Sequence, residues 1–357
     1  MPHDRILLKG AYLMTQDERL GDLPGDVLVA DGRIQEIGPD VRDEQARVID
    51  GSGTVVLPGF IDTHRHNWQG ALRGLGPAWT YEEYRSRVQI GLGQHFEPRD
   101  VHIGNLAADL LSIDAGVTTV RDESHISNSP EHTDTAIAAH WESGIRAVFD
   151  HGWPSTEAEA WQFGSDRTHP DDIRRVRHDV LTDDTARVTL NAMLRGPELS
   201  TPEVAEHDIR LARELGLRIS MHVGLGEWGA KQQAIRRLAG SGLLGSDMTF
   251  IHCCTSTDEE LRMLAAHGAT ASVASALEVF MPGLGHANLL PATDPAAAIV
   301  ANAHAGNVDT VIVAGRVLKE GGVLKGGETV FEQAAASHDR LFRAAGLSRP
   351  GAARVSG

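Results

Sequence analysis

The chain has 357 residues, 41% of them apolar and 23% charged, the composition of a globular protein able to bury one large core and a smaller one. A formal net charge of −16 argues against nucleic acid or an anionic membrane as partner, and no apolar run approaches the ~18 residues of a membrane span. The two cysteines, Cys253 and Cys254, are adjacent and give no disulfide framework, and no basic-then-apolar leader opens the chain, so the expectation is a cytoplasmic protein.

Residues 1–56 read as short strands separated by turns. A run at 6–13 is followed by a pair within 26–34 joined at Asp31-Gly32, a dipeptide suited to a tight hairpin turn. Runs at 47–51 and 54–56 continue the pattern, and the segment is expected to form a small β-rich unit.

From residue 57 the pattern changes. Leu57-Pro58-Gly59-Phe60-Ile61 leads as an apolar strand into Asp62-Thr63-His64-Arg65-His66. Further strands are expected at 117–122, 145–150, 187–194, 218–223, 248–253 and 269–274, with helical runs at 106–113, 203–215, 227–238 and 258–267 among them. Strands alternating with helices imply a parallel α/β sheet, and a recurrence of roughly 35 residues is that of a (β/α)8 TIM barrel. Seven barrel strands are readable.

His64 and His66 are spaced i, i+2, so a strand presents both on one face. Neutral imidazole is a common ligand for zinc and similar cations. In barrels of this kind the chemistry sits at the C-terminal strand ends. There the first strand carries His64 and His66, the fifth carries His222 and the sixth His252. Four histidines at the same end of three strands point to a metal centre. Asp122, Glu123 and His125, after the second strand, are expected either to line the pocket or to hydrogen-bond the loop. Trp68, Gln69, Trp79, His95, His151 and Trp153 are placed in loops on the same face, where they would suit a flat heterocycle or simply pack the loops. Cys253 and Cys254 point to opposite faces and are expected to pack rather than bind metal.

Residues 287–326 return to β character. The hairpin at 307–318, with Ala314-Gly315 at its turn, echoes residues 27–34 and is paired with the N-terminal unit. Residues 328–345 read as a closing helix, followed by a tail.

The block Leu57-Pro58-Gly59-Phe60-Ile61-Asp62-Thr63-His64-Arg65-His66 resembles the amidohydrolase superfamily. So do Gly116-Val117-Thr118-Thr119-Val120, Met221-His222-Val223, Ile251-His252-Cys253 and the hairpin 308–316. Within it, the chain is most similar to the branch of triazine hydrolases and of cytosine and guanine deaminases. The resemblance implies a metal-holding barrel at 57–286, with a small β-sandwich built from 1–56 and 287–326, and a helix and tail at 327–357. It implies His64, His66, His222 and His252 around one divalent metal, zinc or alternatively iron, with His252 also polarising the substrate. Binuclear relatives use a lysine on the fourth strand. The lysines here are Lys9, Lys231, Lys319 and Lys325, none near that strand, so a mononuclear centre is expected.

Two family residues are missing from their places. The position three after His222, a proton-carrying Glu in the deaminases, is Leu225; Glu227 is the nearest acid and is expected to serve as the shuttle. The metal-binding Asp that ends the eighth barrel strand has no counterpart. Glu278 and Asp294 are weak substitutes, and Asp309 stands at the wrong end of its strand. The implied activity is hydrolysis of a non-peptide C–N bond in a small heterocycle, by deamination or amide hydrolysis through metal-activated water. Gln69, Trp79 and Trp153 are the candidate substrate contacts. Alternatives are a halide-releasing triazine-type hydrolase and an impaired relative lacking the eighth-strand acid. A homodimer or higher homo-oligomer is expected, with no nucleic acid or membrane partner.

Overall fold

A computed structural model describes residues 5–75, 79–273 and 304–347. The N-terminal segment forms a sheet of β1 (Ile6–Leu13), β2 (Leu23–Ala30), β3 (Arg33–Gly38), β4 (Arg47–Asp50) and β5 (Val55–Val56), in the order β3-β2-β1-β4 with β5 beside β1. The β2–β3 turn is Asp31-Gly32, with φ values of 53° and 73° that glycine and aspartate tolerate better than branched residues do.

Seven strands follow in a second sheet, all parallel and in chain order: β6 (Phe60–Arg65), β7 (Val117–Ser124), β8 (Arg146–His151), β9 (Val188–Met193), β10 (Ile219–Val223), β11 (Met248–His252) and β12 (Thr270–Ser272). The connecting helices start where the sequence supplies caps. Thr257 forms a capping box with Glu260 ahead of Asp258–Ala266, and Thr201 with Pro202 opens Pro202–Glu214. Gly144, at φ 85°, ends the helix Pro130–Ser143 in the left-handed conformation that a side chain resists. The helices cover the sheet with an apolar layer that includes Ile103, Leu106, Ile137, Ile209 and Leu238.

The sheet curls into a nearly closed barrel. Its outer strands β6 and β12 are tied side chain to side chain, Thr63 Oγ1 to Ser272 Oγ at 2.6 Å. Inside, Arg121 and Glu123 share one face of β7, and Arg121 pairs with Asp150 on β8 at 2.5 Å. Asp150 also accepts from Ser220 on β10 at 2.7 Å, which makes a polar layer across the barrel.

At the C-terminal end, β13 (Val311–Val313), β14 (Arg316–Glu320) and β15 (Val323–Leu324) form an antiparallel sheet. Val317 and Ile312 enter the apolar cluster of Ile6, Leu13 and Val27, so the two terminal sheets share one core. The helix Gly327–Ala344 packs on Pro98–Asp114, where Ser337 donates to Asp100 at 2.6 Å and Arg340 at 3.0 Å.

Two expectations are adjusted. The single helix expected from Glu227 onward is two, Gly226–Gln232 and Ala234–Gly240, broken where Gln233 takes φ 46°. Trp68 is not a pocket residue but is wholly buried against Phe96. Asp309 lies just before β13, in keeping with its reading at the start of that strand and away from the metal-facing end. Glu278, Asp294 and the 286/287 boundary lie outside the described residues.

Candidate metal centre

β6 brings in the first candidate ligands. Asp62 Oδ1 accepts from the His64 backbone N–H at 3.2 Å, which holds the strand end that carries His64. His66 lies one residue beyond the strand, and its Nδ1 donates to the Glu123 backbone carbonyl at 2.6 Å. A carbonyl only accepts, so the proton is on Nδ1 and the Nε2 lone pair is left for a metal. Burial, reinforced by His125, His64 and His222, holds the His66 imidazole well below its ordinary range. It is therefore neutral at pH 7, as ligation requires.

His222 on β10 and His252 at the end of β11 come from neighbouring parallel strands. One ligand atom from each of His64, His222 and His252 lies within 4.8 Å of the others. The His64 ring centre is 5.0 Å from those of His222 and His252 and 4.9 Å from that of His66. The backbone here is unusual: His252 and Cys253 take φ values of 75° and 55°. Such conformations cost on the order of 1–3 kcal/mol each and persist where the surroundings enforce them. Gly224 passes this turn closely, and a Cβ there would meet Cys254 N at 2.7 Å and Thr255 N at 2.9 Å.

Glu123 joins the histidines from β7. Its Oε2 is 2.7 Å from His222 Nε2 and 3.3 Å from His64 Nδ1, with the carboxylate wholly buried. Burial pushes this carboxyl up, but His222 and His64 more than offset it, and it lies well below the usual carboxylate range. Converging imidazoles beside a buried carboxylate fit a divalent cation of zinc's character.

Behind the ligands stands a second buried set. Asp122 accepts from the Asn67 backbone N–H at 2.9 Å, from Asn105 at 2.8 Å and from His140 Nε2 at 3.1 Å. Asp109 accepts from Asn67 Nδ2 at 2.7 Å and from His140 Nδ1 at 2.9 Å. These bonds lock the turn that follows His66 onto two helices. Burial opposes a charge on His140, but Asp109 and Asp122 prevail and lift it to about 10.

Gln69 donates to the Tyr84 hydroxyl at 2.5 Å, and both line a cleft of about 390 Å³ with Trp79, Leu72, Leu75 and Val88. Trp153 is buried; its ring lies 5.9 Å from that of His125, which lies 4.2 Å from that of His66. His151 is not a loop residue: it closes β8, wholly buried, with its Nδ1 3.0 Å from His169 Nε2. Cys253 packs partly against the core, whereas Cys254 is exposed.

Residues 55–289 match the amidohydrolase family. The chain belongs to that family. Amidohydrolases of this kind depend on metal. The chain is 27% identical over 280 residues to 5'-deoxyadenosine deaminase of Methanosarcina mazei, covering 75% of this chain and 61% of that protein. It is 26% identical over 279 residues to 5-methylthioadenosine/S-adenosylhomocysteine deaminase of Thermococcus kodakarensis, covering 74% and 62%. The chain thus spans about three-fifths of the length of these relatives. Among solved structures it is similar to zinc-complexed atrazine chlorohydrolase from Arthrobacter aurescens, with TM-score 0.75 and 19% identity over 94% of this chain and 99% of that one. It is also similar to a zinc-bound adenosine deaminase from Xanthomonas campestris, with TM-score 0.77 and 15% identity over 96% and 100%. At these identities the structural likeness shows the barrel fold.

In this amidohydrolase Glu227 sits exposed in the first turn of Gly226–Gln232. A buried acid of that region is Glu198, which accepts from Gly224 N at 2.8 Å and Leu225 N at 2.7 Å. Glu198 went unnoticed in the sequence because no spacing links it to a loop on another strand. Among the described residues no helix is long and apolar enough to cross a membrane.

Proposed function

We propose that this amidohydrolase is a mononuclear zinc enzyme that hydrolytically deaminates an aminated purine-type heterocycle carried by a small molecule such as an adenosine derivative. The convergence of His64, His222 and His252 ligand atoms within 4.8 Å at the mouth of the barrel carries the reading. The two relatives whose names specify adenosine-derived substrates support the substrate class.

A divalent cation at such a centre polarises water and brings its pKa toward 7, making it a nucleophile at neutral pH. His64, His66 and His222 would hold the ion, with His66 fixed in the ligating tautomer by the Glu123 carbonyl. His252 would polarise the carbon that bears the amino group and would also touch the ion. Glu227 is assigned the proton that the departing ammonia needs. Water's oxygen bonds to the carbon that bears the amino group, the C–N bond breaks with protonation of the nitrogen, and the products are the oxo-heterocycle and ammonia. Gln69 and Trp79, in their shared cleft, would contact the flat ring by hydrogen bond and stacking, with Trp153 further back against His125.

The test loads the purified chain with zinc and assays ammonia release from adenosine, 5'-deoxyadenosine, 5-methylthioadenosine, S-adenosylhomocysteine, cytosine, guanine and an aminated triazine. Turnover of an adenosine derivative, abolished by chelation and restored by zinc, is the expected result. A chain holding one zinc that releases ammonia from none of them would reject the reading.

A further inference from the structure

We infer that Glu123 is the carboxylate ligand of the metal centre, supplied by the second barrel strand; this rests on the metal-enzyme reading above. Ligands placed about 2.0–2.1 Å from a tetrahedral zinc stand about 3.3 Å from one another. Glu123 Oε2 already lies 3.3 Å from His64 Nδ1 and 2.7 Å from His222 Nε2. The β7 carboxylate thus stands at ligand spacing or closer to imidazole nitrogens from β6 and β10.

The same carboxylate lacks ordinary hydrogen-bond partners. Neither Oε1 nor Oε2 of Glu123 has one of acceptable geometry, and the same holds for His64 Nδ1 and His222 Nε2, although all four atoms are buried. An ionised carboxylate taken out of water without donors costs several kcal/mol, so such a group is held in place by a cation or paired charge. Other buried acids nearby are already employed. Asp122 takes three hydrogen bonds, Asp150 takes Arg121 and Ser220, and Glu198 takes two backbone N–H groups. Glu123 alone among these points its carboxylate at the imidazoles.

Backbone geometry serves the same end. The Glu123 carbonyl orients His66 while its side chain reaches His64 and His222, so one residue sets the tautomer of one ligand and stands beside two more. Direct attachment of Thr63 to Ser272 draws β6 and β12 together, and the carboxylate comes from inside that narrowed ring.

The experiment uses the 357-residue chain with zinc as the probe. A crystal structure of the zinc-loaded chain, with the ion placed by anomalous scattering, gives the distance from zinc to the Glu123 oxygens. Competition with a chromophoric chelator gives the zinc affinity of wild type, Glu123→Gln and Glu123→Asp. An oxygen of Glu123 at about 2.0–2.2 Å from zinc is expected. Glu123→Gln should lose about 100-fold or more in zinc affinity, with part regained in Glu123→Asp. Zinc seated on histidines with both Glu123 oxygens beyond about 3 Å overturns the inference, as does Glu123→Gln holding zinc as tightly as wild type. The distance needs no variant, so it decides the matter even where Glu123→Gln does not fold. A wild-type chain that takes up no zinc overturns this inference and the hydrolase reading together, whereas zinc bound without Glu123 overturns this inference alone.

Discussion

Thr63 Oγ1 and Ser272 Oγ lie 2.6 Å apart, joining the first and last of the seven parallel strands. Adjacent strands sit about 4.8 Å apart, so two flanking a third would stand too far apart for such short side chains to meet. The contact therefore marks where the sheet closes on itself. Replacing Thr63 by Val keeps the shape and removes the hydroxyl. A loss of about 1 kcal/mol is expected, read as a lower urea midpoint at unchanged slope. A double-mutant cycle with Ser272→Ala should show the two changes to be non-additive; strict additivity would mean that the hydroxyls do not bond in solution.

The histidine cluster predicts metal content directly. Purified wild type should carry one zinc per chain by elemental analysis, and a strong chelator should remove it together with activity. His222→Ala, which deletes a ligand from the middle of the cluster, should retain less than about a tenth of that zinc under the same dialysis. Full zinc retention in His222→Ala would place the ion elsewhere.

Glu198 holds the loop that follows β10. Its carboxylate accepts from the buried N–H of Gly224 and the partly buried N–H of Leu225, and its backbone carbonyl accepts from Trp228 Nε1 at 2.7 Å. Glu198→Ala leaves those two N–H groups unpaired, at a cost of about 2–4 kcal/mol. Because the loop lies just past His222, kcat should fall while zinc content stays near wild type. Unchanged stability would show that water satisfies the two groups.

His140 makes the fold sensitive to alkali. Its value is lifted to about 10 by Asp109 and Asp122 against the effect of burial, so it is charged in the folded state well above the pH at which it is neutral in the unfolded chain. Its contribution is present in full below about pH 6.5 and is lost as pH rises through about 10. Melting temperature should decline over that window, and His140→Gln should flatten the decline while lowering stability at pH 6. A wild-type profile flat from pH 6.5 to 10 would show that the imidazole is not charged between its two carboxylates.

Much of the architecture is legible in the chain because it follows from local pattern. Apolar runs of strand length at barrel spacing locate β6 to β12, and Asp31-Gly32 and Ala314-Gly315 locate the two hairpins. The converging histidines are legible as well, since a strand end and its side-chain alternation are local properties. Where the sequence reading and the structure part, hydrophobic period does not carry the information. Gln233 breaks a helix that periodicity alone would continue, and Trp68 is drawn into the core by Phe96 and the helix Pro98–Asp114.

Sequence alone determined the kind of protein: a parallel barrel with imidazoles gathered at one end, because strand period, turn chemistry and ligand type are written residue by residue. Only the tertiary structure decided which acids serve and how. Asp122 turns outward to His140 and Asn105, while Glu123, its neighbour, turns inward to His64 and His222. Alternation on a strand says that adjacent residues face opposite ways, but which way is inward depends on how seven strands close around one another.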